Sequence, residues 1–148
     1  MIPLNNPMKE TRNKVLFVCT HNSARSQMAE GLLNSLFGNK YQAFSAGTEP
    51  SVVNPYAIQV MSEIGIDSSK HRSKSVNEFV EQKFDYVITV CDNAHETCPF
   101  FPGGMKRLHQ SFEDPASFKG SEADTLSEFR RIRDEIKEWI EKYCRTER

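Results

Sequence analysis

From Lys14 to Cys19 the chain is apolar without interruption (Val15, Leu16, Phe17, Val18). This predicts a short strand buried on both faces, the kind found in parallel sheets. From about Ser26 the apolar positions change to helical spacing: Ala29, Leu32, Leu33, Leu36 and Phe37 share one side, and Gly38 stops the helix. Tyr41 to Ser45 predicts a second strand, closed by Ala46-Gly47. Asn54-Pro55 opens a second helix carrying Ile58, Met61 and Ile64 and ending at Gly65. The β-branched run from Phe84 to Val90 predicts a third strand, and Met105 to His109 a short last one. The strongest helical pattern lies at the C-terminal end. Leu126, Phe129, Ile132, Ile136, Ile140 and Tyr143 make an apolar stripe, Thr125-x-x-Glu128 reads as its capping box, and pairs such as Arg131/Glu135 and Glu138/Lys142 lie on a solvated face. Strands alternating with helices imply an α/β fold, a parallel sheet flanked by helices. In such folds ligands bind beyond the carboxyl ends of the strands. Cys19 and Cys91 both fall there.

Length and charge narrow the classes. With 148 residues the chain has the size of one domain, expected over 14–148 behind a loosely ordered lead-in of residues 1–13, where Met8 is an alternative start. A net charge of −1 gives no basic field for nucleic acid, and no apolar run reaches membrane-spanning length. Without a secretory h-region, the four cysteines (Cys19, Cys91, Cys98, Cys144) point away from a structural disulfide framework and toward catalysis, redox chemistry or metal in the cytoplasm.

The candidate chemistry begins in Cys19-Thr20-His21-Asn22-Ser23-Ala24-Arg25-Ser26, which joins the first strand to the first helix. A loop wrapping into a helix N-terminus turns successive backbone N–H groups inward, where the helix dipole favours negative charge. A tetrahedral oxyanion fits that nest, and Arg25 can grip it with a two-pronged fork. The same field favours the thiolate of Cys19, to which Ser26 can donate a hydrogen bond. Asn22 tolerates the left-handed backbone that a sharp bend requires. A buried structural cysteine at a strand end is the plainer reading, but Arg25 at this spacing argues against it. The ring of His21 reads as a polar loop group with no role of its own.

The stretch Val18-Cys-Thr-His-Asn-Ser-Ala-Arg-Ser-Gln-Met-Ala-Glu-Gly31 resembles the active-site loop of the low-molecular-weight tyrosine phosphatase superfamily, and its Arg-Ser-Gln-Met-Ala-Glu-Gly part is more similar to the arsenate reductase branch. The resemblance implies a four-stranded parallel sheet flanked by helices, with resemblance over about residues 14–143. Both branches begin with thiolate attack on an oxyanion. A phosphatase then needs only water. Arsenic(V) accepts two electrons, so its reduction needs two thiols and leaves arsenite and a disulfide.

Thr89-Val-Cys91-Asp-Asn-Ala-His-Glu-Thr-Cys98-Pro99 resembles the redox segment of the thioredoxin-coupled reductases. That resemblance implies that Cys91 attacks the Cys19–arsenic adduct and that Cys98 then attacks Cys91, with thioredoxin as the reductant. In a helix, residues 91 and 98 would lie about 10 Å apart along the axis, whereas a disulfide needs Cα atoms within about 7 Å. The segment is therefore expected to unwind on oxidation. Zinc on Cys91, His95, Cys98 and His109 is the competing account, although Cys-x6-Cys is wide for a ligand pair. Cys144 reads as an idle thiol.

Asp114-Pro115 matches the superfamily's proton donor; proline holds the preceding residue extended, and Glu113 is the fallback acid. By itself Asp-Pro is also an ordinary turn signal. Ala116 and Ser117 follow where the phosphatases usually place an aromatic, and Ala24 stands where many reductases have another cysteine. Some members bind potassium through positions matching Asn22, Glu30 and Ser45 and a later acid. Lys74 occupies that last place, so the expectation is no metal and no cofactor, with the lysine supplying the charge. The expected partners are arsenate or a phosphate-like oxyanion and thioredoxin, the chain acting as a monomer.

Overall fold

The structure is a computed structural model, and it describes residues 12–92, 94 and 106–146. Four strands, β1 (Asn13–Cys19), β2 (Tyr41–Gly47), β3 (Tyr86–Thr89) and β4 (Lys106–His109), form one sheet in the order β2-β1-β3-β4. All three pairings are parallel. Among the described residues three long helices accompany them: α1 (Arg25–Phe37), α2 (Pro55–Glu63) and α3 (Glu122–Thr146). This is the expected four-stranded α/β architecture.

Central strand β1 explains why its sequence is apolar throughout. Val15 and Phe17 face the side covered by Leu33 of α1 and by Trp139, Ile140 and Tyr143 of α3. Leu16 and Val18, pointing the other way, are completely buried. On that second side Phe44, Phe79 and Phe84 pack edge to face, with the Lys14 ammonium over two of the rings. The apolar stripe of α3 closes the core through Phe129, Ile132, Ile136 and Ile140.

Several boundaries differ from expectation. Of the expected lead-in, residues 1–11 with Met8 lie outside the described residues, while Arg12 hydrogen-bonds to the Gly38 carbonyl and Asn13 opens β1. β2 runs on to Gly47, which pairs with Cys19. α3 starts one turn before Thr125: the Ser121 hydroxyl accepts from the Asp124 N–H, and the Thr125 hydroxyl donates to the Ser121 carbonyl instead of capping. Glu128 turns to Arg131, which also binds Glu135. The α2 stop is as expected, with Gly65 at φ +82°.

With Cys19 ending β1 and Cys91 two residues beyond β3, the fold delivers both thiols to the carboxyl rim of adjacent strands.

Candidate active site

The loop from Cys19 to Arg25 is held open by side chains that bond its backbone from outside. Asn22, buried at φ 51°, makes the bend. Its Oδ1 accepts from the Lys74 N–H (2.8 Å) and from Gln27 Nε2 (2.9 Å), and Gln27 Nε2 also reaches the Asn22 and Arg72 carbonyls. Ser73 Oγ donates to the His21 carbonyl. Gly47 lies directly beneath: a Cβ there would sit 2.6 Å from the Thr20 carbonyl oxygen and 2.8 Å from the Asn22 nitrogen. Only a glycine lets β2 pass so close.

Cys19 is buried, its Sγ 2.8 Å from Ser26 Oγ. Asn22 Nδ2 donates to that same hydroxyl oxygen at 2.8 Å. With a lone pair of Ser26 taken by the amide, the serine hydrogen is left to point at the sulfur. Asn22 thereby shapes the backbone and orients the donor to the Cys19 sulfur.

Arg25, the first residue of α1, donates through Nη1 to the Phe112 carbonyl (3.0 Å), and its Nη2 lies 3.7 Å from Asp114 Oδ2. Anchored on one corner by a carbonyl and faced by a carboxylate, the guanidinium is held at the pocket wall. Asp114 has the extended backbone its proline demands, and its Oδ1 accepts from the Ala116 N–H. It is thus a turn cap and a pocket residue at once. Cys19, His21, Ser23, Ala24, Arg25, Ser51, Asp114 and Ala116 line a pocket of about 80 Å³. Glu113, the fallback acid, is bound to Arg131 at 2.6 Å and is not among these residues.

Thr20 turns away from this pocket: its Oγ1 lies 3.3 Å from the sulfur of buried Cys91. A second thiol thus sits beside the residue that follows Cys19. Cys98 and His95 lie outside the described residues. His109, the remaining candidate zinc ligand, is engaged by Thr89 Oγ1 (2.7 Å) and Asp92 Oδ1 (3.0 Å).

The profile of the low molecular weight phosphotyrosine protein phosphatases matches residues 14–147. The chain belongs to this family. An arsenate reductase of Halalkalibacterium halodurans is 42% identical over 132 residues, 89% of this chain and 95% of that protein. Among solved structures, an arsenate reductase in the phosphate-binding state superposes with a TM-score of 0.73 at 35% identity, covering 88% of this chain and 95% of the other. A thioredoxin-dependent arsenate reductase of Corynebacterium glutamicum gives 0.63 at 29% identity, covering 88% of this chain and 62% of the other.

Within this phosphatase-family fold, Glu30 and Lys74 face each other behind the loop. Glu30 accepts from Ser45 Oγ, and Lys74 Nζ lies 3.8 Å from the same carboxylate while donating to the Arg72 carbonyl. Burial pushes the Lys74 ammonium below the usual lysine range, against the pull of Glu30. Sequence reasoning missed Gln27, Gly47 and the Thr20–Cys91 contact. Gln27 is buried, although the spacing of the apolar residues of α1 does not mark it.

Proposed function

We propose that this chain reduces arsenate to arsenite with Cys19, Cys91 and Cys98 and is recycled by a thioredoxin-type dithiol. The Cys19 thiolate attacks arsenic(V), forming an S–As bond and breaking an As–O bond, while Asp114 protonates the departing hydroxide so that it leaves as water. The Cys91 thiolate then attacks the Cys19 sulfur. The S–As electron pair passes to arsenic, releasing arsenite and leaving a Cys19–Cys91 disulfide. Cys98 attacks Cys91, frees Cys19, and leaves a Cys91–Cys98 disulfide that the external dithiol reduces. Such a cycle belongs in a reducing compartment, the cytoplasm.

The observation that carries this reading is the Thr20–Cys91 contact, which keeps a thiol against the anion loop where hydrolysis has no use for one. A purely hydrolytic phosphatase is the alternative to be tested. Arsenite production coupled to thioredoxin and thioredoxin reductase is expected from the wild type, and Cys91→Ser should abolish repeated turnover. If Cys91→Ser keeps full turnover on aryl phosphate and the wild type yields no arsenite, hydrolysis is the function.

A further inference from the structure

His21 lines the anion pocket together with Cys19, Arg25 and Asp114. Its Nδ1 lies 2.9 Å from the Glu49 backbone carbonyl. A carbonyl oxygen only accepts, so Nδ1 carries the hydrogen. In the neutral ring the lone pair then belongs to Nε2, which has no partner among the described residues. The carbonyl fixes both the tautomer and the ring plane.

The other groups around the pocket mainly donate. The loop amides and the Arg25 guanidinium offer only hydrogens, while the Asp114 carboxyl oxygens already face the Ala116 N–H and Arg25. Ser23 and Ser51 hydroxyls can turn either way. An arsenate or phosphate ion near neutral pH still carries one hydroxyl, which needs an acceptor; sulfate carries none.

We propose that His21 is a specificity-determining residue: with Nδ1 held by Glu49, its Nε2 accepts the hydroxyl hydrogen of a bound monohydrogen oxyanion and favours arsenate and phosphate over sulfate. The inference rests on the oxyanion-loop reading but not on the redox steps. It gives the ring the role that the sequence withheld.

The test uses the full chain and protection of Cys19 from iodoacetamide, with inorganic phosphate or sulfate as the probe at mildly alkaline pH. His21→Ala and His21→Phe both remove the acceptor, the second keeping the bulk of the ring. Phosphate protection should weaken about tenfold in each, the worth of one hydrogen bond, while sulfate protection changes less than about twofold. Equal loss for the two anions would show that His21 merely supports the loop and would overturn the proposal, as would no change for either. If neither anion protected the wild type, the oxyanion loop itself would be misread. If one variant fails to fold, shown by Cys19 alkylation as fast as in urea, the other decides by the same comparison.

Discussion

Gly47→Ala is the sharpest structural test of the anion loop. The added methyl would meet the Thr20 carbonyl at 2.6 Å, the Asn22 nitrogen at 2.8 Å and the His21 carbonyl carbon at 3.0 Å, where ordinary contact begins near 3.4 Å. All three are backbone atoms of the loop. Gly47 has little room to retreat, because it is paired with Cys19 and its N–H donates to the Lys74 carbonyl at 2.7 Å. The loop must therefore move by about 0.8 Å, the difference between ordinary contact and the closest approach. Overpacking of this kind costs about 1–3 kcal/mol. A shift of that size also stretches hydrogen bonds from loop amides to a bound anion out of range, and misplacement by about 1 Å costs about a hundredfold in rate. Urea unfolding should show the loss of stability, and phosphate should protect Cys19 from alkylation at least about tenfold less well. A Gly47→Ala protein that matched the wild type in both would mean that the loop does not rest on this strand.

Other perturbations follow from the same network. Ser26→Ala removes the hydrogen bond to the Cys19 sulfur, worth about 1.5–3 kcal/mol for a charged acceptor, so alkylation of Cys19 at neutral pH should slow at least tenfold or so. Lys74→Met should change the pH dependence of stability. Burial lowers the lysine below its ordinary 10.5, so the unfolded chain binds its proton more tightly just below that pH; there the wild type gains stability as pH rises, and the variant lacks that gain in urea titrations. Glu63 binds Arg130 and the buried Arg133, and Arg130 holds its carboxyl below the usual 4.5. Its contribution is complete above that value and lost as pH falls through the folded one. Glu63→Gln should therefore cost about 1 kcal/mol near neutrality, after solvent screening of a partly exposed group, and nothing in strong acid.

How much of this was written in the sequence depends on the range of the interaction. Strand β1, helix α1 and the bend at Asn22 follow from residues adjacent in the chain, and local pattern suffices for them. The same logic put Cys19 and Cys91 on one rim. It misjudged the start of α3, because Ser121-x-x-Asp124 and Thr125-x-x-Glu128 carry nearly the same capping signal and only the backbone decides between them. It could not find Gly47 beneath Thr20, or Thr20 beside Cys91, since register across the sheet has no local signature. The contact that orients the His21 ring is equally out of local reach: it is made to a carbonyl 28 residues later.

The seat of Arg25 has a consequence for biosynthesis. Its anchor, the Phe112 carbonyl, lies 87 residues further along the chain, and Asp114 follows that. During translation, then, Cys19 and Arg25 leave the ribosome long before the parts that steady the guanidinium exist. Until the segment holding Phe112 and Asp114 has been made and packed, a nascent chain holds Cys19 beside an Arg25 that lacks its anchors.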